Sequence, residues 1–150
     1  MDQNNKPTIL VVDDNTQNLE LIQVYLEDIE CSTLAATDGI EALEIIEKNN
    51  VDLLLLDIMM PKMSGFEVCK RLKSDSKTSD IPVLMVTALT EFGDIERAID
   101  SGTDDFISKP VNKLELQTRV KAMLKLKNLT DKLQRTLTYI NEIEKQSQNS

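Results

Sequence analysis

The chain has 150 residues, enough for one domain or for one compact domain with a short appendage. Hydrophobic residues make up 41% and charged residues 29%, a globular balance and not a disordered one. Asp and Glu total 26 against 17 Lys and Arg, and the net charge of −9 disfavours nonspecific contact with nucleic acid or anionic membranes while suiting a divalent cation.

The absence of His excludes His-based triads, His-ligated metals and a phosphohistidine step on this chain. Aromatics are 3% with no Trp, so the core must be aliphatic. Cys31 and Cys69 form no CxxC and read as small buried hydrophobes of a reducing cytoplasm. No apolar run nears the ~18 residues of a membrane span, and MDQNNKP lacks the apolar stretch of a signal peptide. The expectation is a cytoplasmic, membrane-free protein.

In chain order, an apolar run at 8–12 ends in Asp13-Asp14. Leu19, Ile22, Leu26 and Ile29 then recur at helical spacing. A short strand follows at 32–36, and Asp38-Gly39 marks a turn and N-cap. Ile40, Leu43 and Ile46 trace an amphipathic helix ending at Asn49-Asn50. Residues 53–56 are apolar throughout and end in Asp57. Ser64 and Glu67 form a capping box for a helix through Val68 and Leu72. A polar loop occupies 74–80, a fourth strand covers 82–86 and ends at Thr87, and a helix through 95–99 stops near Ser101-Gly102. A fifth strand starts at Phe106 and ends at Lys109-Pro110, and Asn112 with Glu115 caps a last helix.

Apolar strands alternating with helices predict a parallel sheet buried on both faces. Right-handed crossovers make a flavodoxin-like, doubly wound, five-stranded (βα)5 sheet with an extended C-terminal helix the economical α/β topology. Ligands of such sheets lie at the carboxyl ends of the strands. Those ends carry Asp13, Asp14, Asp57, Thr87 and Lys109. Taken singly, an Asp after a strand is more often a cap, a Thr a turn residue and a Lys a solvated charge. Their convergence from four strands is the signal. Clustered carboxylates repel one another unless a cation neutralises them, and oxygen donors favour Mg²⁺. A carboxylate can also attack phosphorus and form an aspartyl phosphate.

The motifs ILVVDDN at 9–15, LLLLDIMMPKMSGFE at 53–67, PVLMVTAL at 82–89 and GTDDFISKPV at 102–111 resemble the receiver (CheY-like) domain of two-component response regulators. The resemblance implies Asp57 as phospho-acceptor. It implies Mg²⁺ held by Asp14, Asp57 and the backbone carbonyl of Met59, with Asp13 acting through water. It implies Thr87 as switch hydroxyl, Phe106 as switch aromatic, Lys109 as phosphate-contacting lysine and a cis bond to Pro110. Phe106 reads equally well as an ordinary core aromatic. Met59 and Leu89 occupy the two positions that tune dephosphorylation in the family. Both are apolar, so the phosphorylated form is expected to be long-lived. Lacking His, the chain must draw its phosphoryl group from a partner sensor histidine kinase, a histidine phosphotransfer protein or a small phosphodonor.

The receiver is expected over 1–125 and a helical, coiled-coil extension or linker over 126–150. Residues 111–150 hold 8 basic and 4 acidic residues, against 9 and 22 before them. A heptad frame puts Leu126, Leu133 and Ile140 at a and Leu129, Thr136 and Ile143 at d, with Leu137 at e. The expectation is a homodimer through this helix. An amphipathic helix folded onto its own domain is the competing reading. No helix-turn-helix fits after 125, so direct DNA binding is not expected. Alternatives are the N-terminal piece of a longer regulator with an enzymatic output, such as a cyclic-dinucleotide enzyme or a phosphatase, and a degenerate receiver acting as a docking adaptor. A phosphohydrolase would need an acid at position 59, where Met stands. A nucleotide-binding module would need a glycine-rich loop after the first strand, and none follows.

Overall fold

The computed structural model describes residues 6–88 and 92–148, the side chains of 92–95 excepted. The elements run β1 (Thr8–Val12), α1 (Thr16–Leu26), β2 (Ser32–Ala36), α2 (Gly39–Lys48), β3 (Leu53–Leu56), α3 (Gly65–Ser74), β4 (Val83–Thr87), α4 (Phe92–Asp100), β5 (Asp105–Ser108) and α5 (Lys113–Gln148). All strand pairs are parallel, in the order β2-β1-β3-β4-β5. The predicted flavodoxin-like sheet is the observed one.

The all-apolar strands follow from two-sided burial. Alternate residues of each strand feed separate cores. Leu10, Val12, Leu54, Leu56, Val83 and Met85 pack under α2, α3 and α4. Ile9, Val11, Leu53, Leu55, Leu84 and Val86 pack under α1 and α5. A period-2 strand with both faces covered has no polar side to display.

Caps fix where the helices begin. The Asn15 side chain accepts from the backbone N–H groups of Gln17 and Asn18, Asp38 from Glu41, Ser64 from Glu67 and Asn112 from Glu115. Because Asn15 caps α1, neither Asp13 nor Asp14 is needed for that task.

Three details differ from expectation. The helical spacing reaches Ile29, yet α1 ends at Leu26: the chain tightens into turns, with Glu27 N–H donating to Val24 and Ile29 N–H to Leu26. Cys69 is buried, but Cys31 is only half-buried, since it precedes the edge strand β2. The fourth strand is shifted by one residue, to 83–87, because Pro82 has no N–H for the ladder. The α4–β5 turn needs glycine. Gly102 has φ +92°, with its N–H bonded to Ile99 and the Thr103 N–H to Ala98, which closes the end of α4. Among the described residues no helix is long and apolar enough to cross a membrane.

Candidate functional site

Strand ends bring the predicted residues together. β1 delivers Asp13 and Asp14, and β3, its neighbour in the sheet, delivers Asp57. The Asp57 N–H donates to the Val12 carbonyl at 3.0 Å, and the Asp13 N–H to Ala36 at 3.2 Å, so the ladder itself holds both backbones. Carboxylate oxygens of Asp13, Asp14 and Asp57 lie within 4.8 Å of one another. Asp13 and Asp57 are buried, while Asp14 is exposed.

Lys109 reaches in from the end of β5. Its Nζ lies 3.1 Å from Asp13 Oδ2 and 3.4 Å from Asp57 Oδ1. Its backbone N–H donates to the Thr87 carbonyl at 3.0 Å, tying this loop to the end of β4, and the Lys109–Pro110 bond is cis. Thr87 is buried. Phe106 sits in register with Met85 and is half-buried against the α2, α3 and α4 side of the core. The Met59 backbone N–H donates to the Asp57 carboxylate, while the Met59 side chain is 74% exposed. Leu89 lies outside the described residues.

The electrostatics follow from this packing. Burial is the main cause that pushes the Asp57 carboxyl up to about 6, and the Asp13 carboxylate adds to it; Lys109 and the Met59 N–H oppose the rise. Burial alone would lower the Lys109 ammonium, but the Asp57 and Asp13 carboxylates outweigh it and hold the ammonium above its ordinary range. Three carboxylates against one ammonium leave two negative charges in a partly dry site. That residue, with an all-oxygen donor set, fits a hard divalent cation.

One supporting residue, Gly65, was quoted in a motif above without a role. Its N–H donates to the Ile58 carbonyl at 2.9 Å. A Cβ there would overlap the Asp57 carbonyl oxygen and stand 2.8 Å from Ile58 Cα. The start of α3 therefore lies directly against the acceptor's backbone. The available signal is a glycine in the first turn of a capped helix, where most residues would serve the helix better. Lys62, at φ 69°, forms the other tight feature of this loop, with the Met63 N–H bonded to the Pro61 carbonyl. The convergence of strand ends predicted Asp13 and Lys109 at one edge, but their direct contact, across 96 positions, is set by the fold.

A parallel five-stranded sheet with acidic ends on β1 and β3 and a lysine after β5 defines the class. The response regulator receiver domain family matches residues 9–121, and the chain belongs to it. The chain is 41% identical over 119 residues to the DNA-binding dual master transcriptional regulator RpaA of Synechocystis, covering 79% of this chain and 49% of that protein. It is 43% identical over 122 residues to the heme response regulator HssR of Staphylococcus saprophyticus, covering 81% and 53%. The crystal structure of a CheY-like response regulator receiver domain protein from Methanospirillum hungatei superposes with a TM-score of 0.78 at 28% identity, covering 84% of this chain and 99% of that one. The chain thus spans about half the length of these two curated relatives.

Proposed function

We propose that the chain is a working phosphoryl acceptor of a two-component pathway, with Asp57 as the acceptor. The observation that carries this reading is a buried carboxylate flanked by two others, with the Lys109 ammonium 3.4 Å away. The donor is the phosphohistidine of a partner histidine kinase or phosphotransfer protein. Its P–N bond breaks as a P–O bond forms to an Asp57 carboxylate oxygen, and the imidazole leaves. Lys109, already facing Asp57, pairs with the transferred phosphoryl oxygens. Asp14, Asp57 and the Met59 carbonyl would hold Mg²⁺, with Asp13 acting through water. Mg²⁺ supplies charge compensation for the carboxylates and the phosphoryl oxygens. Thr87, at the end of β4, closes on the new group, and Phe106 repacks behind it. The chain works in the cytoplasm as a homodimer through the C-terminal part of α5.

Intact-mass measurement after incubation with acetyl phosphate tests this. One Mg²⁺-dependent phosphoryl adduct is expected, and none in Asp57→Asn. A wild type that takes no adduct would leave a degenerate docking receiver in its place.

The exposed Met59 side chain cannot orient an attacking water, so slow phosphate loss is part of the same reading. Met59→Asn is expected to speed the decay of the adduct about tenfold, less than the roughly hundredfold at which general acid–base catalysis begins, because an amide orients the water without taking its proton. An unchanged or slower decay in a mass time course would count against it.

A second reading is supported by the coverage of the relatives. In it, the receiver is the N-terminal piece of a longer regulator and α5 links it to an output; the coverage speaks for the greater length, and an enzymatic output such as a cyclic-dinucleotide enzyme or a phosphatase is one form of it beside the DNA-binding kind in the name of RpaA.

A further inference from the structure

The last helix changes face along its length. Over the domain, α5 buries Leu116 and Val120 and packs Met123 and Leu124 against the core formed with α1. Beyond the domain the apolar residues are Leu126, Leu129, Leu133, Leu137, Ile140 and Ile143, each 44% to 66% exposed. At 100° per residue, the centre of this stripe lies about 140° round the helix from the core-facing side. The side that does turn toward the body is polar. Lys127, Asp131 and Gln134 line a groove there with Lys73, Asp80 and Asp104, and of the stripe only its first residue, Leu126, borders that groove. The Lys127–Asp131 pair, 3.3 Å apart, fills that side. An apolar stripe turned away from its own domain cannot be covered by that domain, which removes the reading of a helix folded back on the body.

We propose that the stripe is covered by the same stripe of a second copy, parallel and in register, so that Thr136 meets Thr136. This rests on the homodimer reading above and adds its orientation. The polar d position decides between the two geometries. In the parallel pair the two Thr136 hydroxyls share one layer and can bond each other, as a single polar layer often fixes register. In the antiparallel pair with most layers, Leu126 faces Ile143, Leu129 faces Ile140 and Leu133 faces Thr136. That arrangement buries a hydroxyl against leucine in two layers. In the parallel pair the flanking positions bring Lys125 beside Thr130, Lys132 beside Leu137 and Tyr139 beside Glu144, with no like-charge contact. Pairing over this length removes roughly 1,000 Å² from water, enough for a biological interface but below the roughly 1,200 Å² at which stable ones begin. A reversible, concentration-dependent dimer is the consequence.

The full chain would be measured by sedimentation equilibrium beside Leu133→Asp, with helicity followed by circular dichroism. A concentration-dependent dimer is expected, with association at least 100-fold weaker in a still-folded Leu133→Asp. For orientation, Thr136→Cys and Arg135→Cys would each be oxidised in a Cys31→Ser, Cys69→Ala background. Disulfide-linked dimer should form at least tenfold faster from Thr136→Cys. A wild type monomeric at all concentrations would overturn the interface. A dimer in which Thr136→Cys links no faster than Arg135→Cys would overturn the parallel register alone. Phosphoryl uptake by Leu133→Asp is read separately, so either failure leaves the acceptor reading standing or falling by itself.

Discussion

Without metal, Asp57→Asn should be more stable than the wild type at neutral pH, by up to about 3 kcal/mol. The Asp57 carboxyl is raised from the ordinary 3.8 to about 6, first by burial and then by Asp13. The folded chain therefore holds this proton more tightly than the unfolded chain does. The stability it contributes is complete below the unfolded value of 3.8 and is lost as pH rises through about 6. At neutral pH the wild type carries the full cost of a buried carboxylate beside two others, and Asn does not. The difference between the two proteins should shrink as pH falls from about 6 toward 4. Urea titrations across that range measure it directly. Mg²⁺ at a hundred times its dissociation constant should restore about 2.7 kcal/mol to the wild type and less to the variant. Equal stabilities at neutral pH without metal would mean that the buried acidic cluster carries no net strain.

Gly65→Ala should cost about 3 kcal/mol of stability and slow phosphoryl uptake from acetyl phosphate at least tenfold. The added methyl would overlap the Asp57 carbonyl oxygen, with Ile58 Cα only 2.8 Å away. Those neighbours are backbone, so no rotamer change can make room. Relief requires moving either the start of α3 or the segment at 57–58. The second movement displaces the acceptor from Lys109, now 3.4 Å distant. A small displacement of a reacting group is enough for a large loss of rate. An Ala variant with an unchanged urea midpoint and an unchanged rate of adduct formation would show that the contact is not tight in solution.

Much of this protein could be read from local rules. Residues 53–56 are apolar without alternation, and only a strand covered on both faces tolerates that. Asp38, Ser64 and Asn112 announced the starts of their helices because an N-cap is satisfied by the next few backbone N–H groups. The acidic and basic residues at the strand ends were legible for a related reason: in a parallel sheet, every strand's carboxyl end lies on the same edge. Local spacing misled where the chain turned early, as after Leu26, since Ile29 fits the helical period without belonging to the helix.

What the sequence determined by itself was therefore the set of elements, their alternation and the chemical types at their ends, because each depends on neighbours within a few residues. Tertiary structure alone decided the contacts between distant positions. The pairing of Lys109 with both Asp13 and Asp57 depends on the order β2-β1-β3-β4-β5, which sets which strand ends are adjacent. The approach of Gly65 to the Asp57 backbone depends on how α3 returns against β3. The heptad spacing of α5 told that an apolar stripe exists. Only the packing of Leu116 and Val120 against the sheet fixed the rotation of the helix, and with it that the stripe points away from the domain. Periodicity gives the angle between residues on one helix, while the direction of that helix's faces in space is set by what it is packed against.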